Sequence, residues 1–125
     1  MIQSSPNPVV HLELHSGNLA RACSFYSRVC GWRIERVNAT ERSYHVLDWG
    51  GTLEGGIVEC GADRAMWLPY VEVARADEAT ERAQRLGASV LLEPREGRAG
   101  WRGVVRAPEG GEIAFWQSKT RADRR

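Results

Sequence analysis

The stretch HLELHSGNLARACSFYSRVCGW, residues 11 to 32, decides the fold that the sequence predicts. Its first five residues alternate polar and apolar side chains, as in a strand with one face against a core. Asn18 is a suitable helix N-cap, or Ser16 if the helix starts earlier, and the apolar residues that follow recur every three or four positions. Gly31 is a suitable C-cap. The sequence therefore predicts a strand followed directly by an amphipathic helix.

The alternation divides this strand into two faces. Leu12 and Leu14 share one face, which predicts that they pack beneath the helix. His11, Glu13 and His15 share the other face. Two imidazoles and a carboxylate side by side can line a polar pocket that transfers protons or binds a ligand. They can also form a solvated surface that binds nothing, and both interpretations remain open.

The same order of elements is repeated in the second half of the chain. Laying HLELHSGNLA on YVEVARADEA places His11 on Tyr70 and Glu13 on Glu72. A second helix is predicted over residues 75–88. The predicted strands cover about residues 9–15, 32–38, 42–49, 54–60, 66–74, 88–93, 100–107 and 111–118. The sequence therefore predicts two βαβββ modules, of about residues 8–60 and 66–118, in a single domain of residues 1–125.

Neither module can bury both faces of its sheet alone. A helix covers one face, and the other face must curl around something or pack on its copy. The predicted fold class is therefore α+β, with a curled mixed sheet, or half-barrel, around a central cleft and the helices on the outer face. In this arrangement the cleft is lined by His11, Glu13, His15, Tyr70 and Glu72.

Charge and hydropathy narrow the range of partners. The chain has 17 basic and 16 acidic residues, so it lacks the basic excess of a nucleic-acid-binding protein. No apolar run approaches the roughly 20 residues that a membrane span requires, and the N-terminus lacks the pattern of a signal peptide. We expect no nucleic-acid partner, no membrane partner and a cytoplasmic location.

The pattern H-x5-G-N-L-x5-F-Y-x3-C-G-W, from His11 to Trp32, resembles the first module of the vicinal oxygen chelate superfamily. This superfamily contains glyoxalases, bleomycin-resistance proteins and extradiol dioxygenases. The second half strengthens the resemblance with YVEVARADEA (70–79), LGASV (86–90) and APEGGEIAFWQ (107–117). The resemblance covers almost the whole chain and implies paired modules around a cavity, a small-molecule ligand and often a homodimer.

The resemblance also implies where a divalent metal would bind. Metal-dependent members carry one ligand on the first and fourth strand of each module, and these positions correspond to His11, Glu59, Tyr70 and Ala114. Metal enzymes usually have histidine at the third position and glutamate at the fourth. Only His11 and Glu59 are therefore retained, whereas a catalytic site typically needs three protein ligands. A zinc, nickel, manganese or iron ion would need a neighbouring carboxylate as well.

Without a metal, the same face predicts a polar and aromatic pocket. Glu13 and Glu72 are the candidate catalytic bases. Burial beside other carboxylates would raise the pKa of one of them, which suits a group that accepts a proton. The candidate substrate-binding residues are the aromatic side chains Tyr70, Trp67, Trp101 and Trp116. The alternative for the indoles is packing of the sheet or of a dimer interface.

Three functions follow from these features. The first is a glyoxalase-like small-molecule-binding protein, or a lyase or isomerase, acting in a polar cleft with an incomplete set of metal ligands. The second is a metal-free protein that sequesters an aromatic or cationic compound, as in bleomycin resistance. The third is a metal enzyme with a rearranged ligand set. We expect a homodimer in each case.

Overall fold

A computed structural model of the chain describes residues 6–37, 44–61 and 65–119. The order β-α-β-β-β occurs twice, which confirms the predicted elements and the α+β class. Residues 38, 42 and 43 of the predicted strands lie outside the described ranges. Within those ranges neither helix is long and apolar enough to cross a membrane. The elements are β1 (Val9–Ser16), α1 (Leu19–Cys30), β2 (Arg33–Val37), β3 (Tyr44–Asp48), β4 (Glu54–Glu59), β5 (Met66–Glu72), α2 (Ala76–Arg85), β6 (Ser89–Glu96), β7 (Gly100–Arg106) and β8 (Glu112–Ser118).

The chain divides into two compact units. The first unit comprises His11–Leu68, and the second comprises Pro69–Arg125 together with Met1–Val10. Among the described residues, α1 lies in the first unit and α2 lies in the second. That both units belong to one domain, with modules of about residues 8–60 and 66–118, remains a prediction.

The first unit contains a mixed sheet in the order β2-β3-β4-β1. Strands β2, β3 and β4 pair antiparallel, and β1 pairs parallel to β4. The helix α1 begins where the sequence predicts, since the Asn18 side chain accepts a hydrogen bond from the backbone N of Arg21 at 3.0 Å. It ends at Gly31, whose φ of 72° lies in the left-handed region that glycine tolerates. The strand-to-helix prediction is therefore confirmed at both ends of α1.

The core of the first unit lies between its sheet and α1. Leu14, Leu47 and Ile57 are buried at its centre. Partly buried side chains of α1 and of the neighbouring aromatic residues pack against them, namely Leu19, Ala22, Cys23, Tyr26, Trp32, Trp49 and Trp67. The prediction that Leu14 packs beneath the helix is thus confirmed.

The second unit repeats this design. Its sheet has the order β5-β8-β7-β6, with β5 parallel to β8 and the other pairs antiparallel. At the start of α2 the backbone N of Ala76 donates to Oε1 of Gln117 at 2.8 Å, so a side chain of β8 caps this helix. The core consists of Val73, Ala76, Ala79, Val105 and Phe115.

The buried position of Leu14 leads to a stability prediction. Leu14→Ala is expected to lower the free energy of unfolding by about 2–5 kcal/mol, because the 1% exposed side chain would leave a cavity. Leu86→Ala is the matched control, since Leu86 is 73% exposed and should change stability by less than about 0.5 kcal/mol. Urea denaturation measures both variants, and equal losses would contradict the core assignment.

Candidate functional site

Glu13 lies between two imidazoles on β1. Its Oε1 is 2.8 Å from Nε2 of His15, and its Oε2 is 3.4 Å from Nε2 of His11. Glu13 is 8% exposed, whereas the side chains of His11 and His15 are 15% and 25% exposed. The structure therefore brings together the three polar residues that the alternation of β1 predicts, with the carboxylate deeper than the imidazoles. We call these three residues the His–Glu–His cluster.

The register of the sheet places this cluster on the face opposite α1. Leu14 packs beneath α1, so its neighbour Glu13 points to the other side of the sheet. The partner of Glu13 on β4 is Gly56, and the partner of Gly56 on β3 is Val46. Because glycine has no side chain, no group on β4 competes with the carboxylate at this level of the sheet.

The contact between Glu13 and His15 sets the chemistry of the imidazole. An ionised carboxylate only accepts hydrogen bonds, so with Glu13 ionised the contact selects the form of His15 that has its proton on Nε2. In the neutral form of this tautomer, Nδ1 of His15 carries a lone pair that can accept a proton. A carboxylate that orients an imidazole in this way is a recurrent feature of general base catalysis. This arrangement is chemically able to use His15 as a proton acceptor, with Glu13 holding the imidazole in position.

A cleft of about 510 Å³ lies beside His11 in the first unit. Three acidic side chains line it, those of Glu35, Asp48 and Glu54. The Glu54 carboxylate is 4.0 Å from Nδ1 of His11, which connects the cleft to the His–Glu–His cluster. Among the residues that the structure describes, no lysine or arginine lines this cleft. Its charge therefore favours a cationic ligand.

Glu59, the second metal ligand that the resemblance implies, lies away from His11. His11 is in register with Glu54, and Glu59 is five positions further along β4, roughly 16 Å at about 3.3 Å per residue. Oε2 of Glu59 lies 3.4 Å from the backbone N of Leu19, at the N-terminus of α1, where a negative charge is favoured. The structure therefore does not bring His11 and Glu59 together.

The described residues do not fit the metal site that the resemblance implies. Within residues 6–37, 44–61 and 65–119, no group of three or more histidine, cysteine, aspartate or glutamate side chains is arranged to hold an ion. Tyr70 and Ala114, at the other two implied positions, are register partners on β5 and β8. Neither is a usual ligand for zinc, nickel or manganese.

Two of the tryptophans predicted to bind substrate pack with the helices. Trp67 belongs to the aromatic cluster of the first unit, with its ring centroid 5.5 Å from that of Tyr26 and 6.2 Å from that of Trp32. Trp101 packs against the core of the second unit, and Nζ of Lys119 lies 5.4 Å from its ring centroid. The structure thus places Trp67 and Trp101 in packing contacts, as in the alternative that the sequence left open.

The other predicted residues share one face of the second unit. Glu72 and Trp116 are register partners, and Tyr70 lies two positions before Glu72 on β5. Arg102 is the partner of Trp116 on β7, and its Nε donates to the Tyr70 hydroxyl at 2.8 Å. Sequence reasoning missed Arg102. A usable signal was present, because a hairpin turn centred on Glu109 places residue 102 opposite residue 116.

Comparison with known proteins identifies the family. Residues 9–116 match the family described as "Glyoxalase-like domain". The chain belongs to this family, and its resemblance to the vicinal oxygen chelate superfamily is confirmed. Among curated proteins no relative matches the chain.

Solved structures share the fold at low sequence identity. A hypothetical protein of Bacillus halodurans C-125 is 13% identical, with a TM-score of 0.66 over 90% of this chain and 95% of that chain. Methylmalonyl-CoA epimerase from Mycobacterium tuberculosis is 14% identical, with a TM-score of 0.64 over 100% and 97% of the two chains. A Streptomyces coelicolor methylmalonyl-CoA epimerase variant in complex with 2-nitronate-propionyl-CoA is 16% identical, with a TM-score of 0.61 over 92% and 99%. The family match and the shared fold thus identify a glyoxalase-like member of the superfamily.

The hydrogen bond between Glu13 and His15 has a spectroscopic consequence. The Nε2 proton of His15 should exchange slowly with water, because it is held by a buried carboxylate. We expect a visible imidazole N–H signal in the proton NMR spectrum, and we expect Glu13→Ala to abolish it. Glu35→Ala, which removes an exposed carboxylate from the same sheet, should leave it unchanged. A signal that persists in Glu13→Ala would contradict the contact.

Proposed function

We propose that this protein is a lyase or isomerase that removes a proton from a carbon atom next to a carbonyl group. The observation that carries the proposal is the 2.8 Å contact between Glu13 Oε1 and His15 Nε2. In this proposal His15 is the general base and Glu13 holds it in place. Glu13, a candidate base from the sequence, thus acts through His15 in this proposal rather than directly on the substrate.

The proposed step uses the two imidazoles and the carboxylate between them. The C–H bond breaks, its proton moves to Nδ1 of His15, and the electron pair passes into the carbonyl group of the substrate. The carboxylate of Glu13 balances the positive charge of the imidazolium that forms. A proton then returns to the carbon atom, either from His15 or from a protonated His11, whose Nε2 is 3.4 Å from Oε2 of Glu13. In the second case the proton on His15 passes to solvent and His11 takes one up, so the protein returns to its starting state.

The structural neighbours support this class of reaction. Several of them, including those from Mycobacterium tuberculosis and Streptomyces coelicolor, are methylmalonyl-CoA epimerases, and epimerases are isomerases. Their likeness to this chain concerns the fold, so the reaction rests on the His–Glu–His cluster. We retain Glu72 as a second candidate base and Tyr70 and Trp116 as candidate ligand contacts, all on one face of the second unit.

We further propose a homodimer in the cytoplasm. Phe25 and Val29 lie one turn apart on α1 and are 56% and 65% exposed, so they form an apolar patch that a second copy of the chain could cover. The cysteines Cys23, Cys30 and Cys60 are free, which is typical of proteins in a reducing compartment.

Exchange of substrate protons for deuterium tests the proposed reaction. In D₂O, proton NMR should show the protein-dependent loss of the α-proton signal of methylmalonyl-CoA or of a member of a panel of thioesters and 2-oxo acids. His15→Ala should slow this exchange by about 100-fold or more, because the general base is lost. Glu13→Ala should slow it as well.

His45→Ala is the matched control for this experiment. His45 is in register with Ile57, on the face of the sheet that carries α1, so its loss should change the rate by less than about twofold. The proposal fails if no compound in the panel exchanges faster than in buffer, or if His15→Ala exchanges as fast as the unmodified protein.

The acidic cleft favours a second function, the sequestration of an aromatic or cationic compound. The positive charge of such a ligand would be attracted by the carboxylates of Glu35, Asp48 and Glu54. Leu53 also lines the cleft, and its backbone O accepts a hydrogen bond from Nε1 of Trp49 at 2.6 Å. An occupied cleft should therefore change the fluorescence of Trp49. This function needs no proton transfer, so the deuterium experiment separates it from the first.

Calorimetric titration with bleomycin and with N-methylacridinium tests the second function. Combining Asp48→Asn with Glu54→Gln should weaken binding about tenfold or more, because two charges facing the ligand are removed. Glu93→Gln, on β6, should leave the affinity unchanged. Absence of binding to both compounds, or equal binding by the double variant, would argue against sequestration.

A further inference from the structure

Arg102 is held by an aromatic side chain and not by an acidic one. Its Nε donates to the Tyr70 hydroxyl at 2.8 Å, and its guanidinium carbon lies 5.8 Å from the centroid of the Tyr70 ring. Tyr70 is 8% exposed and Arg102 is half-buried. The buried ring thus fixes the direction in which the guanidinium points.

The small side chain of Ala114 makes this contact possible. Ala114 lies on β8, in register with Tyr70 on β5 and with Val104 on β7, and it is 0% exposed. Its methyl group leaves room for Tyr70 and Arg102 to meet across β8. The metal enzymes that the chain resembles usually have glutamate at this position. Alanine at this position supplies no carboxylate to pair with the guanidinium.

The guanidinium retains donors for a ligand. Arginine has five N–H donors and stays charged at physiological pH, and Tyr70 uses only the Nε donor. Arg75, Arg85 and Arg106 each form a salt bridge with a glutamate or aspartate. In the part of the chain that the structure describes, Arg102 forms no such salt bridge. A partly buried guanidinium whose terminal N–H groups are available matches the oxygens of an anion, so this place suits an anionic ligand.

We propose that Arg102, held in position by Tyr70, binds the carboxylate group of a small organic acid. The two terminal nitrogens present parallel N–H donors, which match the two oxygens of a carboxylate. Trp116, the register partner of Arg102, supplies an apolar surface beside the charge for the carbon atoms of the acid. This site goes beyond the acid–base chemistry proposed for the first unit and does not depend on it.

Titration with malonate, followed by NMR of the arginine Nε–H groups, tests the proposal on the unmodified chain. The Nε–H signal of Arg102, identified by its loss in Arg102→Lys, should shift saturably with malonate. Methylphosphonate should bind more weakly, because its tetrahedral oxygens match the planar donors less well. Tetramethylammonium should not shift the signal at all.

Variants test the same site by affinity. Arg102→Gln should weaken malonate binding tenfold or more, and Arg102→Lys should weaken it less because the charge remains. Tyr70→Phe should weaken it several-fold by releasing the guanidinium. Arg106→Gln is the matched control on the same strand, and it should bind malonate within twofold of the unmodified protein.

Three results would overturn the proposal. These are an Arg102 signal that malonate does not shift, an Arg102→Gln variant that binds malonate as tightly as the unmodified protein, and methylphosphonate binding at least as tight as malonate binding. If Arg102→Gln does not fold, as judged by circular dichroism, the signal shift in the unmodified chain and the Arg102→Lys affinity decide the question.

Discussion

The packing of Leu14 beneath α1 is the constraint on which the candidate site depends. Successive side chains of a strand point to opposite faces, so fixing Leu14 in the core fixes Glu13 on the other side of the sheet. A slip of β1 by one residue would exchange the two faces. It would bury the carboxylate beneath the helix and expose the leucine. The hydrophobic core therefore determines where the His–Glu–His cluster lies.

Burial of Glu13 has a consequence for its neighbours. A carboxylate that is 8% exposed is stable only if hydrogen bonds or opposite charges compensate for its lost hydration. His11 and His15, two positions before and after it, supply these contacts from the same strand. The same contacts that compensate for the burial of the Glu13 carboxylate also orient the two imidazoles. In the second unit the partly buried charge of Arg102 is contacted by a neutral group, since its Nε donates to the Tyr70 hydroxyl.

Local sequence patterns predicted the helices and strands. The candidate site also depends on strand pairing and tertiary contacts, which local patterns do not determine. The helix caps Asn18 and Gly31 and the alternation of β1 act within a few residues, and all were predicted. The separation of His11 from Glu59 depends on the parallel register between β1 and β4, which no local turn fixes. The packing of Trp67 and Trp101 with the helices likewise depends on tertiary contacts.

Arg102 differs from these cases because a local turn does fix its position. In the antiparallel hairpin of β7 and β8, the turn sets which residues face each other, so the pairing of Arg102 with Trp116 was accessible from the sequence. Its contact with Tyr70 was not, because that contact crosses β8 and needs the small side chain of Ala114 between them. The strand position of a site residue can thus be predicted from the sequence even where its contacts with other strands cannot.

A double-mutant cycle on Glu13 and His15 tests the central claim most directly. The free energy of unfolding is measured by urea denaturation for the unmodified protein, Glu13→Ala, His15→Ala and the combined variant. A hydrogen bond between a buried carboxylate and an imidazole predicts a coupling energy of about 1 kcal/mol or more between the two positions. Additive effects, with a coupling energy below about 0.3 kcal/mol, would contradict the contact around which the His–Glu–His cluster is built.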